Sequence, residues 1–377
     1  MASGPSVNLL DMASSVMSAA VGASLTIRAF ALPEDSNKNA RLKVDGTFVT
    51  DADYAAQQII TSAVQRVSTN VRILGEESPE GGAKIPQEKL EHASDAGMRE
   101  GCRREVFLRF KNRSGGSQAP QSLPLAVSSH DATIENKPSY DLSEDEKKEV
   151  IVDVSRVCVI IDPLDGTSSY AKGKYDAVSV LVSVNLDYQP HFGVICKPFG
   201  YEGLPPVMGT PCAAVYGGPL LGGGFIAGGD TLLPVSAATQ PTNSENPSSD
   251  LPRAIISSSR SKGVVEDVCK QLGMLGVIDP TPMHISGAGE KALRLVLRQH
   301  NEGLWFFPKS GTSLWDVAAA DAMLRSLGGK VTDKFGRPLD YSKSRDEAEN
   351  EDGVIACADD KLHAECMRVF QNGKWEE

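Results

Sequence analysis

Residues 159–173 read VIIDPLDGTSSYAKG. Val159, Ile160 and Ile161 are apolar and β-branched, the composition of a buried strand. Asp162 and Asp165 follow at once, on either side of Pro163-Leu164. A core strand that opens onto two carboxylates predicts a strand end facing a polar site. Pro163 fixes its own φ and is expected to stop the strand, folding the two carboxylates toward one side. The carbonyl of Leu164 then lies between them as a third oxygen. Gly166 permits close backbone approach, Thr167 adds a hydroxyl, and N–H groups near the turn are suited to receive a phosphate.

Three other acidic signals share this logic. Ala56, Ile59, Ile60, Ala63, Val64 and Val67 recur at helical spacing, with Thr50 and Asp51 as caps, so Asp53 falls in the first turn of a helix. VRILGEES, residues 71–78, is a short strand that ends in Glu76 and Glu77. Asp316 opens the helix WDVAAADAMLRSLGG. Taken singly, a Glu-Glu pair is usually a solvated face, Asp-x-x-Asp-Gly an Asx turn and Trp-Asp a helix cap. Taken together, acidic groups at strand ends and helix starts converge at one edge of an open α/β sheet, where ligands bind. No His or Cys accompanies them, and an all-oxygen set is the ligand chemistry of Mg²⁺ or Ca²⁺ rather than zinc or copper.

The rest of the chain bounds the alternatives. With 38 Lys and Arg against 49 Asp and Glu the formal charge is −11, which argues against nucleic acid as a partner while leaving room for a small anion in a local pocket. Seven scattered cysteines show no C-x-x-C pair, so neither a disulfide framework nor a zinc site is expected, and a reducing compartment fits. The N-terminus lacks a basic region and Asp11 interrupts its apolar run. Residues 7–31 therefore read as an amphipathic helix, not a signal peptide or membrane span, and a cytoplasmic location is the expectation.

Strands and helices interleave in both halves, which predicts a layered α/β architecture. The expected division is an N-terminal α+β domain, residues 1–200, carrying most of the acidic set, and a C-terminal α/β domain, residues 201–377, carrying Asp316. Residues 78–150 turn rich in Gly, Ser, Pro, Lys and Glu and read as a long insertion with some helix near 86–110. The glycine-rich stretch 200–229 and the polar run 236–250 read as loops around the boundary.

VTDAD (49–53), GEES (75–78), DPLDGT (162–167) and WDVAAA (315–320), in that order, resemble the lithium-sensitive, magnesium-dependent phosphatase superfamily. That superfamily holds inositol monophosphatase, inositol polyphosphate 1-phosphatase, fructose-1,6-bisphosphatase and 3′(2′),5′-bisphosphate nucleotidase. The resemblance spans roughly residues 8–370 outside the insertion. It implies alternating α-β-α-β-α layers and two or three Mg²⁺ ligated by Glu76, Asp162, the Leu164 carbonyl, Asp165 and Asp316. It also implies Asp53 and Thr167 as the groups that activate or orient water, and Glu77 as an acidic neighbour.

GVICKPF (193–199), SSSRSKG (257–263), GAGEKAL (287–293) and GGKVTDKFGRPLDY (328–341) are most similar to the bisphosphate nucleotidase branch, which converts 3′-phosphoadenosine 5′-phosphate to AMP. On that likeness Gly166, Thr167, Ser259, Lys262, Gly287, Lys291 and Asp316 contact the substrate, with Lys262 where the branch carries histidine. A lysine after a glycine turn suits a second phosphate, although Lys291 is equally an exposed helix-start lysine. The long gap between Glu76 and Asp162 is closer to inositol polyphosphate 1-phosphatase, which keeps inositol 1,4-bisphosphate open as an alternative or additional substrate. A catalytically inactive nucleotide-binding scaffold would have lost a ligand or Thr167, and neither is lost. The expected partner is a small phosphate ester, with no nucleic acid and no membrane, and the expected assembly a monomer or homodimer.

Overall fold

The computed structural model describes residues 4–31, 41–42, 48–78, 96–113, 140–229, 233 and 251–375. Most of the expected insertion, including its linker-like middle, lies outside the described residues. The first half runs β1 (Ser6–Asn8), α1 (Leu9–Ala31), β2 (Arg41–Leu42), β3 (Phe48–Val49), α2 (Asp51–Val67), β4 (Arg72–Gly75), α3 (Ala96–Asn112), α4 (Glu144–Val150), β5 (Ile151–Asp153), β6 (Val157–Asp165) and α5 (Thr167–Ala171). It closes with β7 (Ser179–Leu186), β8 (Gln189–Lys197), β9 (Ala213–Gly218) and β10 (Gly223–Ile226). The second half adds β11 (Arg253–Ser257), α6 (Val264–Met274), β12 (Met283–Ile285), α7 (Ala288–Leu297), β13 (Glu302–Phe307), α8 (Leu314–Ser326), β14 (Lys330–Thr332), β15 (Val354–Cys357) and α9 (Asp360–Asn372).

Among the described residues two sheets organise the molecule. A six-stranded sheet has the order β10-β9-β8-β7-β6-β4, with only the β4–β6 pair parallel. A five-stranded mixed sheet has the order β12-β11-β13-β15-β14. Alternation along β6 shows how the sheet feeds two cores. Val157, Val159 and Ile161 pack into one cluster with α1 and α2, while Cys158 and Ile160 pack into another with α7 and α8. A third cluster lies between the second sheet and α6 with α9. The layers are therefore helix, sheet, helix pair, sheet, helix, in agreement with the alternating architecture expected.

Several local expectations are corrected. Pro163 does not stop β6: pairing with β7 resumes beyond it, Asp162 opposite Leu181 and Asp165 opposite Ser179, with a register shift between them. Three steps on β6 match two on β7, so one extra residue is absorbed as a bulge. β9 and β10 occupy the glycine-rich stretch read as loop and extend the first sheet to Ile226. Nearly every residue of α1 from Leu9 to Ser24 is buried, where an amphipathic helix was expected. It is covered by α2, α3, β7 and β8, which leaves no broad solvent face. By length and composition α1 could cross a membrane, and here its apolar surface is covered by protein.

One crossing sets the position of α8. A Cβ on Gly193 of β8 would lie 2.1 Å from the Ala319 carbonyl oxygen, so helix and strand backbones touch where only glycine fits. Gly193→Ala is expected to cost about 1–3 kcal/mol by pushing α8 off the sheet. Urea denaturation measures it, and an unchanged midpoint would mean that α8 shifts freely.

Candidate active site

Parallel pairing builds the centre of the site. Gly75 lies opposite Ile161, and the Glu76 N–H donates to the Ile161 carbonyl at 3.0 Å, so Glu76 emerges beside Asp162. The sequence placed both at strand ends, and the parallel register makes them neighbours. Glu77 is buried next to them.

Two helix starts supply the remaining acids. Thr50 caps α2 and Asp53 is its third residue, the reciprocal arrangement of a capping box. The Asp53 Oδ2 accepts the Thr50 N–H at 2.8 Å and also the Thr50 hydroxyl. Its Oδ1 accepts the Thr167 hydroxyl at 2.9 Å. Ser313 and Asp316 repeat the device at the start of α8, with the Ser313 N–H donating to Asp316 Oδ2 at 2.7 Å. Capping explains why these acids sit where they do, and burial shows that they are more than caps.

Carboxylate oxygens of Asp162, Asp165 and Asp316 lie within 4.8 Å of one another. Asp162 is 1 % exposed and donors reach it sparingly: the Leu164 N–H at 3.1 Å is one. Burial, then the charges of Glu76, Asp165 and Asp316, push its carboxyl far above the ordinary range. Asp316 is raised to about 7, by burial first and Asp165 next. Asp53 is also raised to about 7, by burial first, with Glu76 and Glu77 adding to it against the Thr50 hydrogen bonds. Asp165 is raised by burial, opposed by the Lys291 charge and by the N–H groups of Gly289 and Ala288. Carboxylates crowded this way need a cation, and the all-oxygen donor set fits a hard divalent ion such as Mg²⁺. Glu76 stands outside the 4.8 Å triad but acts on Asp53, Asp162 and Asp316 by charge.

Thr167 holds a single proton between two acceptors, Asp53 Oδ1 and the Leu164 carbonyl at 3.0 Å. The Leu164 carbonyl, the third oxygen expected from the sequence, receives the Thr167 hydroxyl. Gly166 has φ +84°, and a Cβ there would lie 2.8 Å from the Ala177 carbonyl oxygen. The backbone itself demands glycine at this position.

The expected substrate contacts divide. Gly287 lies against Asp165, whose Oδ1 and Oδ2 accept the Ala288 and Gly289 N–H groups at 3.1 and 2.8 Å. The start of α7 thus serves a carboxylate of the cluster. Lys291 is buried, not exposed; its Nζ donates to the Gly287 carbonyl at 2.6 Å and faces the Trp305 ring. Burial lowers its pKa while Asp165 and Asp316 oppose the shift. Ser259 and Lys262 stand exposed on the loop between β11 and α6. That loop is tied to the Gly287 turn by the Ser286 hydroxyl, which donates to Ser258 at 3.1 Å.

Sequence reasoning missed three cations. Arg260 bonds to the Gly311 carbonyl at 2.9 Å and packs over Phe307, at the entrance to α8. Arg345 donates to the Glu76 carbonyl at 3.1 Å. Lys197 forms a buried ion pair with Glu290 of α7 at 2.8 Å. The last had a signal, an apolar strand that ends in lysine; the other two depend on loops meeting across the fold.

A model of the inositol monophosphatase family matches residues 127–372. The chain is 26% identical over 258 residues to 3′(2′),5′-bisphosphate nucleotidase 1 of Dictyostelium discoideum, covering 64% of this chain and 75% of that one. It is 31% identical over 196 residues to inositol monophosphatase 3 of Danio rerio, covering 51% of this chain and 48% of that one. It thus spans about half of the second relative's length. The extragenic suppressor protein SuhB of Bartonella henselae superposes with a TM-score of 0.54 at 17% identity, over 96% of this chain and 99% of that one. The layered fold, the paired strand ends and the match over most of the chain agree: the chain belongs to the inositol monophosphatase family.

Proposed function

We propose that the protein is a Mg²⁺-dependent phosphomonoesterase that removes the 3′-phosphate of 3′-phosphoadenosine 5′-phosphate, leaving AMP. The observation that carries the reading is the Asp162–Asp165–Asp316 cluster, with Asp162 and Asp165 buried and Asp316 half-buried, next to the Asp53–Thr167 hydrogen bond. A divalent ion held by that cluster, with Glu76 and the Leu164 carbonyl as further oxygens, supplies Lewis-acid polarisation of the phosphoryl group and acidifies water. Thr167 orients the attacking water and relays its proton toward Asp53, whose Oδ1 accepts the Thr167 hydroxyl. The substrate choice is supported by the relative in Dictyostelium discoideum and by cations around the site of an otherwise acidic chain, the buried Lys291 and the exposed Arg260 and Lys262 of the β11–α6 loop. Lithium inhibition and a contact between Ser259 and the nucleotide belong to the same proposal. Inositol 1,4-bisphosphate is the second reading, favoured by the long gap between Glu76 and Asp162.

The test is phosphate release with Mg²⁺ from 3′-phosphoadenosine 5′-phosphate, inositol 1,4-bisphosphate and inositol 1-phosphate, with and without Li⁺. Preference for the nucleotide is expected, and preference for either inositol phosphate would overturn the substrate. Thr167→Ala is expected to lower kcat by about 10²–10⁴-fold, while Thr167→Ser, which keeps the hydroxyl, retains most of it. Equal loss in both variants would remove the hydroxyl from the chemistry.

A further inference from the structure

The connection between β14 and β15 touches both sides of the acidic cluster. On one side it is stitched to the entrance of α8. The Leu314 N–H donates to the Ala348 carbonyl at 2.9 Å, and the Asn350 N–H to the Thr312 carbonyl at 2.8 Å. Ser313, the cap that receives Asp316, forms a bridge with Glu349. Farther back, the Tyr341 hydroxyl donates to Asp321 of the same helix at 2.9 Å. On the other side the connection reaches β4. The Arg72 guanidinium donates to the Lys343 carbonyl, and the Arg345 Nε donates to the Glu76 carbonyl at 3.1 Å, joined by its terminal nitrogen.

Among the described residues β4 is the last strand of its sheet and pairs with β6 alone. The Glu76 N–H is held by the Ile161 carbonyl of β6, and the Glu76 carbonyl, just past the end of β4, accepts the Arg345 guanidinium. A guanidinium suits the task because two of its N–H groups converge on one oxygen in a fixed plane, which an ammonium cannot reproduce.

We infer that residues 341–350 form a strap that sets the distance between Glu76 and Asp316, and that Arg345 is a positioning residue for the metal centre. This rests on the metal reading of the cluster proposed above. The side chain of Arg345 makes no claim on the ion itself. It fixes the peptide whose side chain is a ligand, as the outer partners of metal ligands do. Glu76 lies at a strand end of the first sheet and Asp316 in the helix layer packed on that sheet, and the strap ties the two together.

Calorimetric titration of Mg²⁺, with Mn²⁺ as a second probe, into the metal-stripped full-length protein tests this. Arg345→Ala is expected to weaken metal binding about 10-fold without moving the melting temperature of the stripped protein, with Arg345→Lys in between. Arg337→Ala is the control: it removes ion pairs to Asp333 and Asp352 in the same connection but touches neither ligand-bearing end. Its metal affinity should match that of the unsubstituted protein. Unchanged affinity in Arg345→Ala, or an equal loss in Arg337→Ala, would overturn the strap alone. Failure of the unsubstituted protein to take up either metal would overturn the metal reading along with it.

Discussion

Asp162→Asn is expected to lower phosphate release by about 10³-fold, the scale of losing one charge-stabilising group in a water-excluded site, and at the same time to stabilise the metal-free protein. The first effect follows from removing a ligand charge from the centre of the cluster. The second follows from its electrostatics. Asp162 is 1 % exposed and its carboxyl is raised far above the ordinary range by burial and by Glu76, Asp165 and Asp316. The folded metal-free protein therefore binds protons that the unfolded chain releases once the pH exceeds about 4. Stability must fall as the pH rises from there through the folded values, which for Asp53 and Asp316 are about 7. Asparagine keeps an acceptor for the Leu164 N–H but carries no charge, so its share of that fall disappears. Thermal melts in EDTA near pH 5 and near pH 8 measure it. A variant less stable than the parent near pH 8 would sink the account. With Mg²⁺ present the comparison should invert, since the cation stabilises only the carboxylate.

Glu290→Ala carries the largest expected cost to stability. Its carboxylate is held by Lys197 at 2.8 Å and by Arg294 at 2.7 Å, and the Lys197 and Glu290 side chains are 2 % and 7 % exposed. Lys197 keeps the Asp176 carbonyl, at 2.6 Å, and the face of the Tyr201 ring, at 5.7 Å, if the glutamate is lost. A buried ammonium without its counter-charge costs about 3–5 kcal/mol. Lys197→Met combined with Glu290→Leu removes both charges at similar volume and is expected to recover most of that. Urea denaturation of the three variants measures the effect, and a single-variant loss below about 1 kcal/mol would mean that water already solvates the pair. The consequence reaches the active site, because Glu290 follows the Ala288 and Gly289 N–H groups that hold Asp165.

The strand-and-carboxylate reading of residues 159–173 was legible because alternation and residue type are local properties. So were the helix starts at Asp53 and Asp316, whose capping residues precede them in the chain. The neighbour relation of Glu76 and Asp162 was not, since parallel register is set by packing of distant segments. β9 and β10 were hidden by glycines that mark close backbone approach: a Cβ on Gly217 would lie 2.2 Å from the Gly223 carbonyl oxygen. The burial of Lys291 was not legible for a different reason. Its own turn allows exposure, and only the wedging of α7 between two sheets buries it.

The extra residue in β6 bears on which ion the cluster accepts. Backbone pairing with β7 on both sides of the bulge fixes where Asp162 and Asp165 stand on β6, and N–H groups of Leu164, Ala288 and Gly289 orient their carboxylates. A frame of this stiffness discriminates by size. Mg²⁺ binds oxygens at about 2.0–2.1 Å and Ca²⁺ at about 2.3–2.6 Å, and a larger ion gains nothing from a ring of oxygens that cannot widen. Selectivity between the two alkaline-earth ions would then be written in the hydrogen-bond ladder of a strand.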